Sequence, residues 1–364
     1  MATNKNQHFV PRCHLRAFTI DGADAAINLY NIDRKRFIPR APVKSQCSGD
    51  YFYGKDPLLE AAIQSVESAY GSALREIQAP HYTLLEEHRT TLRRFWLLQH
   101  LRTEQASQRS VEMSQATEAV AGIDNLSFRL QIRDAVQMAM RTFAESIHIV
   151  DDLKVCLVRN RTRVPFVTSD DPAVLANRWQ QQTKKALGLS FGLHSAGALF
   201  LLPLTPEVLC LGYDGDVYSI PHKHGWVDAR QESDICALNE HQFLSCRANI
   251  FVRDDSHSSV VHKAFLLSES RRPESRHKIH YAVLDRTEGE YSRYRVVEPK
   301  EAGEHQEAII HTQVIHPHPS AWPRVVTWRP GGFVFTNGTG LGYVRRGSTE
   351  RVSTQPFRKE HSQR

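Results

Sequence analysis

Val164-Pro165-Phe166-Val167-Thr168-Ser169-Asp170-Asp171-Pro172-Ala173-Val174 reads as a short apolar strand running into a turn that carries two carboxylates. Short polar side chains bond their own backbone and proline fixes φ, so Asp170, Asp171 and Pro172 are turn chemistry. A strand end holds such groups rigidly, and connecting loops carry function more often than the elements they join. Two readings stand side by side. The turn either ends a strand, or it presents its carboxylates to a ligand.

Working outward, residues 153–158 form a second apolar strand and 160–163 a polar turn, which predicts a hairpin with the opening stretch. Downstream, apolar runs at 199–204 and 208–211 flank the turn at Thr205-Pro206. Residues 177–196 between them hold Gln180-Gln181-Gln182 and Lys184-Lys185, and are expected to be a mobile insertion. Helical periodicity dominates elsewhere. Asp56 and Pro57 are a cap and a first residue, and Ile63, Tyr70 and Ile77 give 57–77 one apolar face that Glu67 borders. Along 84–109, Leu85, His88, Leu92 and Phe95 form a seam that continues as Gln99 and Arg102. An unpaired buried guanidinium is costly, so Arg102 calls for an anionic partner, with Glu67, Asp170 and Asp171 as candidates. Gly122, Asp124 and Asn125 mark a turn before a helix at 127–149. Two further helices are expected at 228–251 and 258–267, the first with Asn239 beside its apolar seam.

Strands and helices do not alternate regularly. The predicted fold class is α+β, a helical layer packed on a mixed or antiparallel sheet, not a doubly wound parallel sheet. After about residue 270 the pattern changes to short strands with glycine turns, following a charged stretch at 269–278. The expected division is an α+β domain over 1–268, a β-rich appendage over 269–347 and a disordered tail over 348–364.

The chain of 364 residues is 41% hydrophobic and 24% charged, ordinary values for a soluble globular protein. It lacks the run of about 18 apolar residues that a membrane span needs, so no membrane partner is expected. The start, Met1 to Gln7, lacks the apolar core of a signal peptide, and six scattered cysteines form no Cys-x-x-Cys pair. Both features point to a reduced cytoplasmic protein without structural zinc. The formal charge of +6 permits a nucleotide or nucleic-acid partner without requiring one.

Gln7-His8-Phe9-Val10-Pro11 with Leu15 and Phe18 opens the fold, and His8 stands just before a short helix. His8 and His14 lack the i,i+4 spacing of a helical metal pair. These residues, then Phe95, Gln99 and Arg102, then Phe166 to Pro172, Pro203-Leu204-Thr205-Pro206 and Leu238-Asn239, follow an order that resembles the DUF4238 family. That family is functionally uncharacterised and mostly bacterial. The resemblance covers about residues 5–255, with His8-Phe9-Val10-Pro11 and Ser169-Asp170-Asp171-Pro172 its most specific parts. It implies no established activity.

His8, Glu67, Gln99, Arg102, Asp170 and Asn239 each lie beside apolar sequence in a different element. Converging, they would suit a hydrolase or transferase acting on a phosphorylated, nucleotide or nucleic-acid substrate. In that reading His8 transfers a proton, Asp170 orients it or binds a divalent metal, and Glu67 is a second catalytic carboxylate. Arg102, Gln99, Asn239 and Asp171 would hold the substrate. The alternative is a non-enzymatic binding or interaction protein in which the same residues form a structural network. His-Glu-x-x-His and Walker-type loops are absent. The sharpest expectation is that His8, Arg102 and Asp170 share one cavity.

Overall fold

A computed structural model describes residues 5–22, 25–121, 131–289, 291–298, 301 and 307–363. The principal helices are α1 (Pro57–Ile77), α2 (Glu86–Arg102), α3 (Glu104–Ala121), α4 (Ile132–Ser146), α5 (Glu232–Ser245) and α6 (Ser258–Glu269). Asp56 caps α1 by accepting from the Leu58 amide at 2.9 Å, and Pro57 fills the first position. The helix expected over 84–109 is two helices. Thr103 takes an extended backbone (ψ 160°), and its hydroxyl accepts from the Ala106 amide at 3.2 Å, which starts α3 afresh. The turn expected at 122–125 and the start of the helix expected at 127 lie outside the described residues.

Two sheets form the α+β body. The larger has the spatial order Trp226–Ala229, Lys154–Asn160, Val208–Tyr213, Leu199–Thr205, Val174–Ala176. Its first pair is parallel and the others antiparallel. The smaller is antiparallel throughout, in the order Arg36–Pro42, Ala26–Asn31, Asn249–Val252, Thr168–Ser169. The expected hairpin between 153–158 and the opening stretch does not form. The Asn160 side chain donates to the Val164 carbonyl at 2.7 Å and rounds the chain off toward the smaller sheet instead. Thr168–Ser169 therefore belongs to one sheet and Val174–Ala176 to the other, with Asp170-Asp171-Pro172 as the junction.

Helices α1 and α2 cover one face of the larger sheet. Leu92, Phe95 and Trp96 join Phe200, Leu202 and Cys210 in one apolar cluster. Each such side chain, fully buried, contributes about 1.5–3 kcal/mol. Tyr70 of α1 stacks on Phe95 of α2 with ring centroids 3.5 Å apart. The Phe200 ring lies so close over Gly212 that a Cβ there would meet it at 1.9 Å, so only glycine fits. Helix α5 serves both sheets, with Ile235 and Leu238 in the core of the larger and Phe243 in the core of the smaller.

The C-terminal third departs from the expected division. His277–Glu288, Tyr291–Val296 and Ala308–Val314 do form a separate antiparallel sheet. Beyond it the chain returns to the main body. Val326 and Val334 lie in the core of the larger sheet, and Arg324 and Arg345 pair with Asp234 and Asp152 at 3.1 and 3.0 Å. The tail expected to be disordered contains the strand Arg358–His361, paired with Phe333–Thr336. Its polar pattern hid two anchors. The Trp179 indole donates to the Ser362 carbonyl at 2.6 Å, and Lys359 sits over the Phe333 ring. Trp179 also corrects the expected mobile insertion at 177–196, because it is buried in the same core.

Candidate functional site

A cleft of about 820 Å³ opens between the N-terminal segment and α1. His8 and Glu67 both line it. Glu67 points its carboxylate at Arg102, with Oε1 2.7 Å from Nη1. Arg102 is completely buried, while the Glu67 side chain keeps 23% of its surface open to the cleft. Behind Arg102 the Gln99 carbonyl accepts from Nε at 2.8 Å, and its amide donates to the Phe9 carbonyl at 3.1 Å. The Tyr53 ring lies 5.7 Å from the guanidinium carbon. Burial works against the Arg102 charge, but Tyr53 and Glu67 outweigh it and hold the group above its ordinary value. A carboxylate does lie within salt-bridge reach of Arg102, as its burial demands.

The N-terminal segment is fixed against this pair. Gln7 accepts from the Tyr53 amide at 2.7 Å and donates to the Gly54 carbonyl at 3.1 Å. The Tyr53 hydroxyl donates to the main-chain carbonyl of His8. Cys13 also lines the cleft, but burial pushes its thiol up to about 12, so it is no thiolate nucleophile.

Asp170 does not reach this cleft. Its Oδ1 accepts from the Arg247 amide at 2.7 Å, and its Oδ2 accepts from the amides of Ala248 and Asn249 at 2.7 and 2.8 Å. The carboxylate closes the turn that starts the strand Asn249–Val252. Burial pushes it up to about 6, against the pull of the three amides. Asp171 turns the other way. It accepts from the Thr103 hydroxyl at 2.7 Å and pairs with Arg109 at 3.1 Å. Asn239 accepts from the Val167 amide at 3.1 Å and donates to the Pro165 carbonyl at 2.8 Å, so it binds strand backbone. His8 and Glu67 thus share a cleft with Arg102 and Gln99 stacked behind them, while Asp170, Asp171 and Asn239 form a separate junction. The proposed shared cavity fails at Asp170, because backbone amides exposed by the turn at 247–249 claim both of its oxygens.

Sequence reasoning missed two things. His14 is fully buried between the clusters, bonding the Tyr70 hydroxyl at 2.9 Å and the Thr168 hydroxyl at 3.0 Å. Burial pushes it down to about 3, which keeps it neutral. The cleft also draws on Arg12, Arg16, Arg75 and Arg253, against the carboxylates of Glu60 and Glu67. The available signal was a second, polar stripe on α1, where Glu60, Gln64 and Glu67 recur every three or four residues beside the apolar face. Among the described residues, no group of three or more His, Cys, Asp or Glu side chains is placed to hold a metal ion.

No curated protein and no solved structure matches this chain. A family model matches residues 6–256, from the segment that carries His8 to just past the strand that receives Asp170, and by that match the chain belongs to the DUF4238 family, described as proteins of unknown function.

Proposed function

We propose that the cleft at Glu67 is the active site of a hydrolase or transferase whose substrate carries phosphate groups, such as a nucleotide. The observation that carries this reading is the placement of Glu67. A carboxylate is fixed at 2.7 Å by a fully buried arginine while it still faces a cleft with an excess of arginines. Fixed groups that keep their orientation through a reaction are what electrostatic preorganisation requires. Arg12, Arg16 and Arg75 supply charge for phosphate oxygens, Glu67 orients the attacking water or hydroxyl, and His8 carries the proton. Asp170, Asp171 and Asn239 belong to the frame in this reading, since backbone and neighbouring side chains occupy them.

The test is a turnover screen of nucleotides and phosphorylated metabolites, with and without Mg²⁺ or Mn²⁺, on the wild type and on His8→Ala. Hydrolysis or transfer that falls about 10²–10⁴-fold in the variant supports the assignment. Saturable binding of the same compounds without turnover would make the cleft a ligand-binding site and end the enzyme reading.

A further inference from the structure

A second cavity, of about 380 Å³, lies where α3 and α4 meet the Asp171 junction and the strand Ala308–Val314. Its charged lining is Arg109, Arg276 and Asp171. Asp171 is satisfied by Thr103 and Arg109, as described above. Arg276 donates to the Leu244 carbonyl, and among the described residues no carboxylate forms an ion pair with it. Burial, then the nearby charges of Arg109 and Arg272, pushes its guanidinium down to about 10, so it remains a cation at neutral pH. Three imidazoles also line the cavity. Burial depresses all of them, His100 to about 4 and His316 to about 3, with His277 lowered in the same direction. The cavity therefore holds two cations against one anion. Arg276 has a backbone carbonyl and the more distant Asp171 to offset its burial but no carboxylate in ion-pair contact, and one monoanion would balance the remaining charge.

Apart from the hydroxyls of Ser110, Thr142 and Ser245, the rest of the wall is mostly apolar. Met138, Ala139, Leu193 and Val314 face the space, and Phe191 stacks on His316 with centroids 3.5 Å apart. An apolar pocket with a few convergent polar groups, in this size range, is the usual form of a small-molecule site. We propose that this cavity binds a small organic monoanion with an aliphatic body, a medium-chain carboxylate, whose head group lies against Arg276 and Arg109 and whose tail lies along the apolar wall. The inference does not depend on the chemistry assigned to the Glu67 cleft.

Isothermal titration of the full chain with octanoate, and with 1-octanol as the uncharged match, tests it. Octanoate should bind with single-site stoichiometry and at least about tenfold more tightly than the alcohol, the size expected for one charge-assisted contact. Arg276→Met should remove that preference. Met138 is 57% exposed, so Met138→Glu is expected to fold, and its carboxylate should cancel the excess charge and weaken octanoate by a similar factor. Arg75→Ala, in the other cleft, should leave octanoate binding unchanged. Equal affinity for acid and alcohol, no octanoate binding by the wild type, or full octanoate binding by Met138→Glu would each overturn the proposal.

Discussion

Two buried polar clusters sit on either side of His14, and they differ in where their bonds end. At the junction, Asp170 and Asn239 close on the main chain, while Asp171 turns away to Thr103 and Arg109. Asp170 takes three amides, Asn239 takes an amide and a carbonyl, and Gln242 binds Ser169 and the Pro172 carbonyl. The Glu67 cluster ends instead on a side chain that faces an open cleft. Both contain ionisable groups beside apolar sequence, and both are tied to His14, through Thr168 in one case and Tyr70 in the other. Residue type and burial therefore do not separate frame from site here. The terminal partner does. A buried carboxylate that already accepts three backbone amides presents no open face to a ligand, whereas one held from behind by a cation keeps its outer face available.

The largest expected effect is acid lability, and it tests whether the buried imidazoles are held neutral. Burial depresses His14 to about 3, His100 to about 4, His241 to about 4 and His316 to about 3. The unfolded chain protonates these rings near pH 6.5 and the folded chain does not, so their contribution is present above pH 6.5 and is lost as pH falls. Asp170 and Asp214 oppose this. Burial raises both to about 6, so their contribution is lost as pH rises through 6 and is regained on acidification. Four groups outweigh two, and roughly 5 kcal/mol of stability should be lost between pH 6.5 and 4.5. Urea unfolding at both pH values checks the sign. A protein equally stable at pH 4.5 would mean that the rings are not buried as described. Asp170→Asn removes one opposing group and should steepen the loss.

Asp170→Ala attacks the closed cluster directly. It leaves the amides of Arg247, Ala248 and Asn249 without their acceptor, and orphaned buried donors cost about 1–3 kcal/mol each. Water entering the gap recovers part of that. The expected loss is about 3–5 kcal/mol in urea unfolding. A loss below about 1 kcal/mol would show that the turn at 247–249 stands without its carboxylate.

How much of this was legible in the sequence depended on whether a signal was local. Helix α1 was readable because its cap, its first proline and its apolar face are all carried by neighbouring residues. The break at Thr103 was not, since threonine is tolerated within a helix and its capping role depends on Asp171, far away in the chain. The junction was visible as a turn but not as a bridge between sheets, because pairing with Asn249–Val252 is decided at long range. Arg102 announced its need for a carboxylate through simple desolvation cost, and Glu67 was among the named partners. Asp170 misled for the same physical reason that makes it informative. A buried aspartate at a strand end looks alike from the sequence whether it serves a substrate or three amides. The tail was misread because two anchors, Trp179 and Phe333, lie outside it.

Glu67→Ala probes the open cluster and should cost less than the loss of Asp170. It strips the buried Arg102 of its ionic partner, and breaking a buried pair costs about 3–5 kcal/mol. The cleft admits water where the carboxylate was, which brings the expected value below that range, to about 2–3 kcal/mol. Pairing it with Arg102→Met should restore part of the loss, because the uncompensated charge is then gone. A double variant no more stable than Glu67→Ala would mean that Arg102 serves packing more than charge.

The smallest stability effect belongs to His8→Ala, and it separates the clusters most sharply. The contact that ties this segment to Tyr53 runs through the His8 main-chain carbonyl, which alanine retains. Gln7 keeps both of its bonds to residues 53 and 54 as well. His8 is only half-buried, and an alanine that keeps these main-chain bonds is expected to cost about 1 kcal/mol or less. The thermal midpoint should therefore barely move, while turnover of a phosphorylated substrate falls about 10²–10⁴-fold. The opposite pattern, a large drop in midpoint with turnover intact, would place His8 with Asp170 among the residues that hold the fold. In that case the open face of Glu67 would have to act without it.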